Sequence, residues 1–243
     1  VTTHQKTNQQ LVFPYGRDQL IKNSRDLDQA RGDGATMVDC PRTMGPVTHS
    51  ATAELLRKSG WKPMISPFSP ELVRYHGKTR IISWGLSSYG YDIRISGVDL
   101  KLFNNIGGQI VDPMRIQTGR YAVPEVMHDD EFDLDYFILP PNSLVLAHTV
   151  ESFCIPRDIL VTCIGKSTYA RVGVHQLVTP LEPEWEGELV LEIASTTNYH
   201  TRVYIGCGIA QLMFNKADEI CEVSYKDRDG KYQGQTGTQD ALV

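Results

Sequence analysis

The chain of 243 residues carries 24 Lys and Arg against 29 Asp and Glu, a formal charge of -5. That balance argues against a surface built to coat nucleic acid or anionic lipid, though a local cleft for a small phosphorylated ligand remains compatible with it. Hydrophobic residues make up 41 %, enough for a core of ordinary size, while no apolar run approaches the ~20 residues that span a bilayer and no secretory signal pattern opens the sequence.

Residues 1–49 differ from the rest: they are rich in Thr, Gln, Asn, Asp and Gly, and Gly32-Asp33-Gly34 breaks any periodicity. They read as an extension, either a solvated segment or an arm laid on a neighbouring subunit through Leu11, Val12, Phe13 and Tyr15. A domain over residues 50–243 follows. Ser50 is placed to cap a short helix through Ala51, Glu54, Leu55, Leu56 and Lys58, with Gly60 as its stop. Pro63, Pro67 and Pro70 then exclude a long helix.

From Ile81 the texture is β. Short, partly alternating segments predict strands at 81–84, 91–95, 100–103, 143–147, 159–164, 188–193, 202–205, 209–214 and 222–225. Turn signals separate many of them: Asn105 with Gly107 and Gly108, Pro140-Pro141-Asn142, and Gly206 with Gly208. A helical turn is expected near Ser167–Arg171. Strands punctuated this regularly, without interleaved helices, point to an all-β barrel or jelly roll. The five cysteines (Cys40, Cys154, Cys163, Cys207 and Cys221) are odd in number, irregular in spacing and without a Cys-x-x-Cys pair. They read as reduced thiols of a cytoplasmic protein.

The chemistry concentrates late in the chain. Gly165-Lys166-Ser167-Thr168-Tyr169-Ala170-Arg171 leaves an apolar strand through a glycine and gathers hydroxyls, cations and backbone N–H groups. That set suits phosphate oxygens, and equally a solvated strand end; the spacing does not complete a Walker loop, because Leu160 stands where its first glycine belongs. In the strand at 188–193, Leu189, Leu191 and Ile193 point one way and Glu188, Val190 and Glu192 the other. Glu192 therefore faces either solvent or a pocket; in a pocket, desolvation would raise its pKa toward the range useful for proton transfer. Trp185, in a turn between Pro183 and Gly187, reads as core filler or as a plate for a sugar or base.

Four stretches in consistent order resemble the dCTP deaminase family, a branch of the trimeric dUTPase superfamily. They are Ser87-Ser88-Tyr89-Gly90-Tyr91-Asp92-Ile93-Arg94, residues 165–173, Pro180-Leu181-Glu182-Pro183-Glu184-Trp185-Glu186-Gly187, and Tyr225 through Gln235. The resemblance runs over roughly residues 51–237 and leaves out 1–49. It implies a dUTPase-like distorted jelly roll with few helical turns, and hydrolytic conversion of dCTP to dUTP and ammonia. Glu192 matches the family glutamate that activates water and carries its proton to the pyrimidine, and Ser167 and Arg171 match the groups that position that water and the glutamate. The resemblance places Lys166 and Thr168 at the phosphates, with Tyr169 and Ala170 beside them. Glu182, which some members replace by Asp, and Trp185 fall at the deoxyribose. The backbone at Val190 and Leu191 falls at the base edge, with Gln211, Tyr225, Lys231 and Gln235 as further nucleotide contacts. It also implies Mg²⁺ carried by the triphosphate, a homotrimer with shared sites, and dTTP as a candidate inhibitor.

Zinc deaminases need His-x-Glu and Pro-Cys-x-x-Cys. None of the seven histidines here is followed two residues later by Glu, and no Cys-x-x-Cys exists, so the zinc route lacks its ligands and no metal is assigned to the protein's own side chains. The alternatives are a dUTP diphosphatase or a bifunctional deaminase–diphosphatase, with Asp92 or Glu182 holding water for the α-phosphorus, and a non-catalytic nucleotide-sensing trimer. Against the first, the tail Gln235-Thr236-Gly237-Thr238-Gln239-Asp240 has no arginine; against the last stands the joint presence of Ser167, Arg171 and Glu192.

Overall fold

The computed structural model describes residues 62–103, 112, 114 and 121–242. The extension at 1–49, the expected helix at 51–58 and the turn at 105–108 lie outside the described residues. The strands are β1 (Ile65–Ser66), β2 (Leu72–His76), β3 (Thr79–Leu86), β4 (Gly90–Arg94), β5 (Lys101–Phe103), β6 (Tyr121–Ala122) and β7 (Val126–Asp129). After them come β8 (Leu134–Leu139), β9 (Leu144–Cys154), β10 (Ile159–Gly165), β11 (Val174–Leu177), β12 (Glu186–Ser195), β13 (Thr201–Tyr204) and β14 (Gly208–Lys216). A single helical turn, α1 (Ser167–Ala170), joins β10 to β11. The all-β expectation holds.

The strands form three antiparallel sheets. One runs β11-β12-β9-β5-β6 with β1 added to β9, the second β10-β14-β4-β3-β2, and the third β13-β8-β7. Alternation decides which face each strand buries. In β12, Leu189, Leu191, Ile193 and Ser195 are buried while Glu188, Val190, Glu192 and Ala194 stay half-exposed. Leu191 and Ile193 meet Val145 and Ala147 of β9, Tyr91 and Ile93 of β4, and Ile209 and Leu212 of β14 in one continuous core. Each large side chain so buried contributes roughly 1.5–3 kcal/mol.

One expected strand is absent. Residues 222–225 form turns, because the guanidinium of Arg157 gathers the carbonyls of Cys221 and Glu222 (2.8 and 2.9 Å) and the Ser224 N–H goes to Asp227 (3.0 Å), leaving no ladder to join. Conversely, β1, β2, β6, β7, β8 and β11 lie outside the expected strands.

Two local devices place the site. Between Glu188 and Val190 the β12–β9 register slips, and the Leu189 N–H bonds instead to the Thr149 hydroxyl (3.0 Å), a bulge of the kind that bends a strand and re-aims the residues after it. At the start of β14, Gly208 passes so close to β3 that a Cβ would lie 1.8 Å from the Ser83 carbonyl and 3.2 Å from Lys166 Cδ. Gly208→Ala is therefore expected to destabilise the fold by about 1–3 kcal/mol and to disturb Lys166; urea unfolding that shows no loss would contradict the packing described.

Candidate active site

The phosphate-binding candidates come from the end of β10. Lys166 precedes α1 with extended backbone and receives the Ala170 N–H on its carbonyl (3.0 Å). Its ammonium reaches back to β3 and β4, where it bonds Ser83 Oγ (3.2 Å) and pairs with Asp92. Asp92 is almost fully buried, and its second oxygen accepts from Gln211 Nε2 (3.0 Å), which also donates to Ser87 Oγ (3.1 Å). A buried carboxylate needs such partners, since removing it from water unpaired costs several kcal/mol or more. The structure thus joins Lys166 and Gln211 through a residue the sequence reading had weighed only for the diphosphatase alternative. The signal was there: an Asp embedded in the apolar run Gly90-Tyr91-Asp92-Ile93.

Within α1, Ser167 and Arg171 are four residues apart and share a face, and Arg171 Nη1 donates to Ser167 Oγ (3.3 Å). Both are exposed, as are Thr168 and Ala170. Tyr169 instead turns into the core, where its hydroxyl accepts the Tyr204 N–H (3.0 Å); any contact it makes with a ligand is through its main chain. The turn ends at Gly173, whose φ of +75° is a left-handed conformation that glycine tolerates.

Glu192 stands on the outer face of β12, directly between Leu146 of β9 and Leu177 of β11. Burial raises its pKa above the ordinary carboxylate value, opposed only in part by its own backbone N–H. Its charge also adds to the burial that pushes the Cys163 thiol up to about 12, so the carboxylate lies within electrostatic reach of β10. Among the described residues, no hydrogen bond or ion pair within the chain joins Glu192 to Ser167 or Arg171.

Beside Glu192 the β11–β12 ladder ends. β11 stops at Leu177, opposite Glu192, and the C-terminal segment reaches β12 at Glu186, Gly187 and Glu188, through the Gly234 N–H on the Glu186 carbonyl (2.8 Å) and a parallel bridge to Gln235. Among the described residues no named strand pairs with that edge at 189–191, where Val190 is half-exposed and Leu191 fully buried.

The C-terminal residues close the other side. Glu182 pairs with Arg228. Trp185 is buried, with Nε1 donating to the Tyr232 carbonyl (3.0 Å) and its ring against Phe153 (6.4 Å between centroids). The Tyr225 hydroxyl accepts the Tyr232 N–H (3.0 Å), and Gln235 Nε2 donates to the Glu188 carbonyl (2.7 Å). Lys231 is exposed, its ammonium on the Leu242 carbonyl. Trp185 thus belongs to the core. No group of three or more His, Cys, Asp or Glu able to hold a metal occurs among the described residues.

A family described as dCTP deaminase-like matches residues 56–217. The chain belongs to that family. It is 52 % identical over 174 residues to a dCTP deaminase of Aromatoleum aromaticum, covering 72 % of this chain and 88 % of that one. It is also 52 % identical over 175 residues to a dCTP deaminase of Xanthomonas oryzae pv. oryzae, with the same coverage. Among solved structures, a 2'-deoxycytidine 5'-triphosphate deaminase from Agrobacterium tumefaciens aligns at a TM-score of 0.39 and 13 % identity, over 76 % of this chain and 49 % of that one. A likeness of that size adds nothing to the assignment, which rests on the sequence relatives and the family match. Among the described residues no helix is long and apolar enough to cross a membrane.

Proposed function

We propose that this protein hydrolyses dCTP to dUTP and ammonia without a catalytic zinc, as a cytoplasmic homotrimer. The observation that carries the reading is Glu192: a carboxylate whose pKa burial raises, next to a strip of β12 with which no strand pairs on that edge among the described residues, in a chain 52 % identical over 174 residues to a dCTP deaminase. The base edge of cytosine presents an N–H donor and acceptors to that strip, and main-chain groups of Val190 and Leu191 supply the complements.

The chemistry asks one group to do several proton transfers. Glu192 as carboxylate takes a proton from water while the water oxygen bonds to C4, and it delivers that proton to N3. The C4–N4 bond then breaks as the amino nitrogen takes up the remaining hydroxyl proton by way of Glu192, and ammonia leaves. Water is consumed, and no redox partner is involved. A carboxyl group with raised pKa suits this sequence because it accepts and returns protons near neutral pH. The Ser167 hydroxyl holds the water in line, and Arg171 favours the ionised carboxylate at the first step. Among the described residues no cation of its own chain pairs with Glu192, and the Ser167–Arg171 pair is exposed; both facts support a site completed by a neighbouring subunit.

Lys166, Thr168 and Gln211 take the triphosphate, with Tyr225, Lys231 and Gln235 closing over it, and dTTP, sharing the sugar and phosphates, competes there. Mg²⁺ would enter with the triphosphate, as hard cations accompany such ligands, and would neutralise phosphate charge; no side chain of the protein is assigned to it. Assaying ammonia and pyrophosphate together tests the whole reading. Ammonia is expected in step with dUTP, with no pyrophosphate. Activity lost to a chelator is expected to return with Mg²⁺ alone; return only with zinc would overturn the mechanism.

A further inference from the structure

We propose that Arg157, in the turn between β9 and β10, is a positioning residue that fixes the base of the C-terminal strap and so sets the apparent affinity for nucleotide. The proposal rests on the deaminase reading for its kinetic consequence, and on geometry for the rest. After β14 the chain must double back across the molecule to reach β12. The return starts at the turn between β9 and β10. The Ala217 N–H bonds the Asp158 carbonyl (2.8 Å) and the Cys221 N–H the Arg157 carbonyl (3.3 Å). The Arg157 side chain then makes the junction: Nε donates to the Cys221 carbonyl (2.8 Å), Nη2 to the Glu222 carbonyl (2.9 Å) and to Asp227, and Nη1 to Glu184 Oε2 (2.6 Å).

One guanidinium thus binds three separate segments: its own turn, the loop that carries Glu182 and Trp185, and the turn that carries Tyr225 and Arg228. Asp227 is held from the other side by Ser224, which donates its N–H (3.0 Å) to the carboxylate and accepts the Asp227 N–H (3.2 Å) on its hydroxyl. The planar fork of Arg satisfies this array; the compact ammonium of Lys cannot reach all four acceptors. Beyond this base, the strap runs along the 182–185 loop and β12, with the Tyr225 N–H on the Pro183 carbonyl (3.0 Å), the Gly234 N–H on the Glu186 carbonyl (2.8 Å) and the Glu188 N–H on the Gln235 carbonyl (3.0 Å). It continues past β5 with the Gly237 N–H on Glu188 (2.7 Å), the Thr238 N–H on Asp99 (3.0 Å) and Lys101 on Asp240 (2.8 Å). It borders the β12 edge at 189–191. None of the groups that move protons lies on it.

A ligand that needs the strap in place binds more weakly in proportion to the fraction of time the strap is undocked. Arg157→Met is therefore expected to raise KM for dCTP roughly tenfold while kcat stays within about twofold, with Arg157→Lys between it and the native enzyme. Amide hydrogen exchange is expected to quicken across 221–242 and to stay unchanged in β9 and β12. An unchanged KM in the presence of faster strap exchange would overturn the proposal, as would faster exchange throughout the protein, the mark of a residue that merely holds the fold. Should Arg157→Met fail to fold, Asp227→Asn and Glu184→Gln remove its acceptors one at a time and are read the same way. A native enzyme that releases no ammonia from dCTP would sink the deaminase reading instead, and the exchange data would still decide whether Arg157 docks the strap.

Discussion

Glu192→Gln is expected to lower kcat for dCTP by about 10²–10⁴-fold, toward the upper end because one carboxyl group serves several proton transfers. KM is expected to stay within about threefold, since the amide keeps the shape of the side chain and the nucleotide contacts lie elsewhere. The pH profile gives a second readout. Burial raises the Glu192 pKa, and the base form is the one that activates water, so the acid limb of kcat/KM should lie above the ordinary carboxylate range of about 4.3. Arg171 brought alongside by a second subunit would pull that limb back down. Arg171→Met is thus expected to move it upward in the residual activity. Mixing Glu192→Gln with Arg171→Met subunits is expected to regain turnover, because some mixed assemblies contain a site with both native groups. Mixtures that stay dead after subunit exchange would place the three residues within one chain, against the present geometry. Equal losses of dCTP affinity and turnover in Glu192→Gln would refute a purely catalytic role.

How much of this was legible in the sequence differs from strand to strand for physical reasons. β12 was readable because leucine and isoleucine alternate with glutamate and valine over a half-buried sheet, and period two has no helical competitor at that length. α1 was readable because a glycine exit, a polar run and Gly173 bracket it. β8 hid for the opposite reason: Tyr136-Phe137-Ile138-Leu139 is apolar throughout, without alternation, and carries Asp135 at its start. β2 hid behind Arg74, Tyr75 and His76, which stay exposed on an edge strand. The segment 222–225 misled because Val223 and Tyr225 alternate as a strand would, while the groups that bend it, Arg157 and Asp227, are distant or downstream in sequence. The same limit applies to the site. Ser167 and Arg171 could be paired from a spacing of four, but the Lys166–Asp92–Gln211 cluster joins three strands and is visible only once β10, β14 and β4 lie side by side. The unpaired β12 edge at 189–191 is less legible still, because it is defined by where β11 stops.

The largest stability effect is expected from the buried ion pair that joins β4 to β9. Glu151 is fully buried; its carboxylate accepts from Arg94 Nε (2.8 Å) and from the Arg94 N–H (3.0 Å), and the guanidinium lies 3.8 Å from the Trp84 ring centroid. Desolvation still raises the Glu151 pKa, with Arg94 opposing it. The sign follows from proton binding. Where the folded pKa exceeds the unfolded one, the folded state holds more protons between the two values, so stability falls as pH rises through that window. The cost is absent below the unfolded value of about 4.3 and complete above the raised folded value. Arg94→Met removes the opposing charge and leaves a buried carboxylate with one N–H donor, which typically destabilises by about 3–5 kcal/mol near neutrality. The loss should shrink as pH is lowered toward the carboxylate range, where Glu151 takes up a proton. Adding Glu151→Gln to Arg94→Met should recover much of it, because the amide oxygen still accepts the Arg94 N–H and no charge remains to be desolvated. Urea unfolding of the single and double variants at two pH values separates these terms: a double variant as unstable as Arg94→Met alone would mean that lost packing over Trp84, and not the stranded charge, dominates.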